Sequence, residues 1–155
     1  MKKHLILLYV LVCNFLAISQ TGDTHILKNV NNIYVQTQVC EELNEYITEF
    51  EIKELIESEL MNAKIKITDD KNTKFKLVTN ISCRPVKGDI AFNLNFQVCE
   101  KIYLKRINEN LYLDIYEAGG LGLLPNSYEA KNHCLQYIKS TTTSFIHEWK
   151  KDNQK

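Results

Sequence analysis

Between Ile90 and Val98 an apolar residue occupies every second position: Ile90, Phe92, Leu94, Phe96 and Val98 alternate with Ala91, Asn93, Asn95 and Gln97. A period of two sends successive side chains to opposite faces of a pleated strand. This run therefore predicts a long strand with one face in a core and the other in water. Phe75, Leu77, Ile81 and Cys83 share one parity just upstream, and Pro85–Asp89 with Gly88 supplies a turn, so the two runs predict an antiparallel hairpin. Ile33, Val35 and Val39 predict a first strand, and Lys64–Thr68 a short second one before a turn at 69–72. Leu111, Leu113 and Ile115 predict a last strand, ending in the glycine-rich stretch Glu117–Leu124.

Two helices complete the pattern. Thr48 and Glu51 have the spacing of a capping box, with Ile47 and Ile52 placed as a hydrophobic staple. Ile52, Leu55, Ile56 and Leu60 follow at helical spacing, predicting a helix from 49 to about 62. Asn126 and Glu129 can cap a second helix of about 23 residues, with Cys134, Leu135, Ile138, Phe145, Ile146 and Trp149 on its apolar face. Thr141–Thr143 is a weak stretch within it. The expected fold is α+β, a single mixed or antiparallel sheet of four to five strands with two helices packed on one face.

The ends of the chain bear on where it works. Lys2 and Lys3 precede the apolar run Leu5–Val12, and Ala17-Ile18-Ser19 offers small residues to a signal peptidase. Residues 1–19 are thus expected to be a signal peptide, 20–32 a polar leader and 33–155 one domain. The apolar run is too short to span a bilayer. Lipidation at Cys13 is disfavoured by the branched Val12 before it. Export to the periplasm or medium is the expectation. Of 19 basic residues the first segment holds two, leaving 17 against 19 acids in the mature chain. That balance argues against nucleic acid as a partner.

Cys40, Cys83, Cys99 and Cys134 remain after cleavage. Their spacings of 43, 16 and 35 contain no C-x-x-C, so neither a zinc knuckle nor a redox motif is expected. A hairpin turning at 86–89 sets positions whose numbers sum to about 175 opposite one another. Cys83 then faces Phe92 and Cys99 faces Lys76, roughly 20 Å apart at the rise of a strand. A disulfide needs Cα atoms within about 7 Å, so Cys83–Cys99 is excluded. Cys83 shares the apolar face that the helix carrying Cys134 must cover, whereas Cys99 lies with Asn95 and Gln97, and Cys40 is off the parity of Ile33 and Val35. Cys40 near Cys99 and Cys83 near Cys134 is the expected arrangement.

No catalytic, metal or cofactor constellation emerges. His133 adjoins Cys134, but neighbouring helix residues point about 100° apart, which separates a nucleophile from its base. Glu41, Glu42 and Glu45 form an acidic cluster, which could do acid/base work only from a pocket that shifts its pKa values, and Asp69-Asp70 reads as a turn. Gly119-Gly120-Leu121-Gly122 lacks the Lys and the following helix of a phosphate loop. Its glycines fit a structural turn or a close backbone approach. Gly119, Gly120, Leu121, Gly122 and Leu123 are also apolar enough for a contact loop, and Asn93, Asn95 and Gln97 offer a polar contact face.

Ile33–Val39, the helix to Met61, Phe75–Ser82, Ile90–Cys99, Glu117-Ala118-Gly119-Gly120 and the closing Phe145-Ile146-x-x-Trp149-x-x-Asp152-Asn153 resemble a family of exported bacterial proteins of unknown function. The order of elements is similar, by fold analogy, to the periplasmic domains of the curli-secretion lipoprotein and of penicillin-binding-protein activator lipoproteins, which implies binding to protein partners. The expected function is an extracytoplasmic, non-enzymatic interaction or envelope-assembly domain, whose partner is another envelope or secreted protein. The competing class is a small-ligand binder or hydrolase with a site assembled from distant residues, which would show a deep polar pocket where His or acid side chains converge.

Overall fold

The computed structural model describes residues 26–125 and 129–153. The expected signal peptide and the Asn126 cap lie outside them. Strand β1 (Ile33–Val39) is followed by helix α1 (Glu49–Asn62), strands β2 (Phe75–Val86), β3 (Asp89–Leu104) and β4 (Glu109–Pro125), and helix α2 (Glu129–Asn153). One mixed sheet runs in the order β1-β2-β3-β4, with β1 parallel to β2 and the other pairs antiparallel. The fold is α+β, as the patterns predict. The segment 64–68 forms only an isolated bridge, Ile33 to Ile67, rather than a strand.

The hairpin register is the predicted one: Cys83 faces Phe92 and Lys76 faces Cys99. Its turn is Lys87-Gly88, at φ 50° and 91°, the pair of left-handed residues that a two-residue hairpin of right-handed twist requires. Ile90, Phe92, Leu94, Phe96 and Val98 are buried on the helix side with Phe75, Leu77 and Ile81. Between β3 and β4 the register slips by one at Val98/Cys99, leaving Ile115 unmatched in β4. This bulge reverses the parity of β4. Beyond it Tyr116, Ala118, Gly120, Gly122 and Leu124 pair with the inward residues of β3. Before it Leu111 and Leu113 face the helix side but project past the helices, so Leu113 is 49% exposed.

α1 begins as predicted. The Thr48 hydroxyl accepts from Glu51 N, and the Glu51 carboxylate accepts from Thr48 N at 2.9 Å. A hydrogen bond from Lys131 first, and those from Thr48 after it, hold the Glu51 carboxyl down at about 2. The helix stops at Ala63, where Lys64 takes φ 65° while Lys64 N and Ile65 N donate to Met61 O and Leu60 O. Ion pairs Glu51–Lys131 and Glu59–Lys139 set α1 and α2 side by side and parallel. The run of hydroxyls in α2 is accommodated because Thr141, Thr142, Thr143 and Ser144 each donate to the carbonyl four residues back.

Residues 26–32, expected as part of a polar leader, are packed into the domain. Leu27 and Val30 are buried against the end of α2. Trp149 Nε1 donates to Val30 O at 2.7 Å, Asp152 accepts from Leu27 N, and Asn153 both accepts from Asn29 N and donates to Leu27 O. The asparagines that suggested a linker instead make its bends: Asn29 and Asn32 have positive φ, and Asn31 Oδ1 accepts from Lys66 N at 2.7 Å.

Thr79, fully buried between Leu77 and Ile81 on the inner face of β2, leaves its hydroxyl oxygen without a partner. An unpaired buried hydroxyl costs about 1–2 kcal/mol, and valine has the same shape without it. Thr79→Val should raise the unfolding free energy by about 1 kcal/mol, read as a higher urea midpoint at unchanged slope.

Candidate functional site

The two surfaces singled out in the sequence turn out to be one. Gly119–Leu124 is not a loop or turn but the body of β4, hydrogen-bonded to β3: Asn93 faces Leu121, Asn95 faces Gly119 and Gln97 faces Glu117. Of the roles the sequence left open to these glycines, the structure shows close backbone approach. A Cβ on Gly119, at φ 141°, would stand 2.0 Å from Leu94 O. One on Gly122 would lie 2.3 Å from the Phe92 ring, and one on Gly120 2.7 Å from the Tyr137 hydroxyl. Side chains from β3 and α2 occupy the space that β4 leaves empty, and Phe92 and Tyr137 meet edge to face at 5.4 Å.

Among the described residues no helix covers the opposite face of the sheet, since α1 and α2 pack on the side of Phe96. On this outer face Leu121 is 84% and Leu123 67% exposed. Asn95 Oδ1, beside Gly119, is shut off from solvent without a partner. Further along, Asp114 accepts from Gln97 Nε2 at 2.8 Å and from Cys99 Sγ at 3.1 Å, and Lys76 Nζ sits 4.1 Å above the Tyr112 ring. β4 borders the sheet, so the backbone groups on its far side face no other strand among the described residues.

The cysteines are arranged otherwise than expected. Cys40 is bonded to Cys83, with Cα atoms 6.0 Å apart, while Cys99 and Cys134 are free and buried. Parity misleads at Cys40 because β1 ends at Val39; Cys40 N donates to Ile81 O and the chain turns into a short 3-10 segment, Glu41–Leu43. Parallel pairing sets Val39 beside Ile81, which carries Cys40 to the level of Cys83. Cross-linking across a separation of 43 residues restricts the unfolded chain by about 4 kcal/mol on a loop-entropy account. Glu42 lies close by, its carboxylate 3.4 Å from Cys83 Sγ, but the disulfide leaves this Cys-Glu-Cys group no thiolate for a metal.

His133 and His147 are exposed on α2 and fourteen residues apart, about 21 Å along a helix. Cys134 points into the core, away from His133. Shallow depressions of the described surface include two beside α1. One, of about 270 Å³, lies between the helices against Leu55, Leu135 and Lys139; the other, of about 250 Å³, lies over Tyr34, Glu49 and Lys53. Neither gathers histidine and acid side chains. No helix among the described residues is long and apolar enough to cross a membrane.

No known protein family matches this sequence, and no curated protein does. Among solved structures, the chain is similar to PelC from Paraburkholderia phytofirmans, a dodecamer determined in two crystal forms, one of a single-substitution variant. The variant shows 10% identity over 74% of this chain and 86% of PelC, at TM-score 0.45; the other form shows 10% identity over 72% and 84%, at 0.43. A likeness at this level carries no functional inference.

Burial pushes the Cys99 thiol up to about 12, aided by its hydrogen bond to Asp114, and pushes Cys134 up to about 11. Both folded values lie above the ordinary value of 9.0, so folding favours the protonated thiols. Stability should be unaffected by these groups below about pH 9 and fall from there towards pH 11–12, as the unfolded chain ionises first. At pH 8, iodoacetamide should label neither thiol in the folded protein and both in denaturant, as counted by intact mass.

Proposed function

We propose that this chain is an extracytoplasmic, non-enzymatic interaction domain that binds another envelope or secreted protein through β4 and the outer face beside it. The observation that carries the reading is the edge of β4, where Leu121 and Leu123 project from a strand that, among the described residues, is bonded on one side only. Unpaired strand edges recruit further strands by main-chain hydrogen bonds, and side chains beside them give selectivity. Leu121 and Leu123 supply the apolar contact, Asn93, Asn95 and Gln97 the polar rim. Cys40–Cys83 is compatible with an oxidising compartment, in keeping with the basic and apolar start of the sequence.

A photoreactive residue in place of Leu121, in cells that export the protein, should trap a covalent adduct heavier than the chain. The same residue in place of Phe50, 66% exposed on α1, should not. The trapped chain should begin near Gln20 on N-terminal sequencing. Absence of any adduct at Leu121 refutes the interaction reading, and a chain retaining residues 1–19 in the cytoplasm refutes export.

A further inference from the structure

We infer that the partner at the β4 edge is a second copy of this chain, with 118–124 of the two copies antiparallel around a twofold axis at Leu121. This rests on the interaction reading above and names its partner. The two borders of the sheet are unequal. β1 is guarded at both ends: Ile33 N donates to Lys66 O and Ile33 O accepts from Thr68 N, while Val39 N donates to the Glu49 carboxylate. β4 is hydrogen-bonded only to β3 among the described residues.

Charge selects the part of β4 that pairs. Ala118-Gly119-Gly120-Leu121-Gly122-Leu123-Leu124 holds no ionisable side chain, whereas the half before it carries Glu109, Asp114 and Glu117. Centred on Leu121, two antiparallel copies set Glu117 opposite Pro125 of the second copy. Sliding the axis to Glu117 would oppose two carboxylates and bring the bulge at Ile115 into the ladder.

Shape points to the same register. On the outer face Leu123 lies over Gly119 of the second copy, and Leu121 meets its own counterpart. On the inner face Gly120 faces Gly122 and Ala118 faces Leu124. The large positions of the strand meet small ones when it is reversed, apart from the leucine on the axis. An isologous interface has to complement itself in this way. The two sheets join into eight strands, and the two most exposed leucines of the described residues, Leu121 and Leu123, become cross-strand neighbours.

Leu121→Cys should cross-link to itself across the axis under mild oxidation, doubling the mass on a non-reducing gel, while Phe50→Cys should not. The four cysteines of the described residues do not compete, because Cys40 and Cys83 are bonded and Cys99 and Cys134 buried. By sedimentation the exported wild-type protein should be a dimer, and Leu121→Lys a monomer with unchanged circular dichroism whose melting temperature no longer rises with protein concentration. A wild-type protein that stays monomeric at millimolar concentration, or a dimer that survives Leu121→Lys, overturns the inference. If the probe at Leu121 then still traps a different protein, self-pairing alone has failed; if it traps nothing, the interaction reading has failed with it.

Discussion

α2 lies against β4 through Ala118, Gly120 and Gly122, three inward positions whose side chains amount to one methyl group. The gap is filled from both sides, by the Tyr137 hydroxyl from α2 and the Phe92 ring from β3. About two turns further along α2, Phe145 meets Phe96 at 6.1 Å and Tyr116 at 5.3 Å between ring centroids, at the centre of the core. Fully burying a ring of that size contributes about 2–3 kcal/mol by area alone. The last turn of the helix then grips Leu27–Val30 and seals the sheet end. A bulkier β4 would lift the helix away from all of these contacts.

Much of this architecture is legible in the residues. Period two in β3, shared parity in β2 and a two-residue turn between them leave one register, because a slip of one would turn Phe92, Leu94 and Phe96 out to water. Thr48 and Glu51 announce α1 in the same local way. What is not legible is non-local. Nothing in the chain encodes the offset of 42 between β1 and β2, so the partner of Cys40 depends on a parallel pairing that leaves no turn signature. Nor does the composition of 26–32 reveal that it packs: Ile26, Leu27 and Val30 among a lysine and three asparagines resemble a linker until Trp149, Asp152 and Asn153 are brought over from the far end of the chain.

The candidate surface was half visible for a related reason. Gly119, Gly120 and Gly122 fit a turn or a close backbone approach in sequence, and only the positions of Leu94, Phe92 and Tyr137 show that they make room. The parity change at Ile115 hides the rest. With Leu111, Leu113 and Ile115 taken as one face, Leu121 and Leu123 fall on the buried side; the unmatched residue moves them to the open one. Asn93, Asn95 and Gln97 and the glycine segment, separate in sequence, are then opposite one another on adjoining strands.

An uncharged strand edge normally invites unlimited addition, and the asymmetry of this sheet removes that outcome. Endless growth of a sheet requires two free edges per molecule, one to receive and one to offer. Here β1 cannot receive along its whole length, because Lys66, Thr68 and the Glu49 carboxylate already occupy the groups of Ile33 and Val39. β4 can offer only 118–124, since Glu117 and Pro125 bound that stretch and the bulge at Ile115 bends the strand before it. A molecule with one short free edge stops once that edge is filled. Pairing of two copies through it consumes both edges at once, leaving a closed assembly whose outer face still presents Asn93 to water.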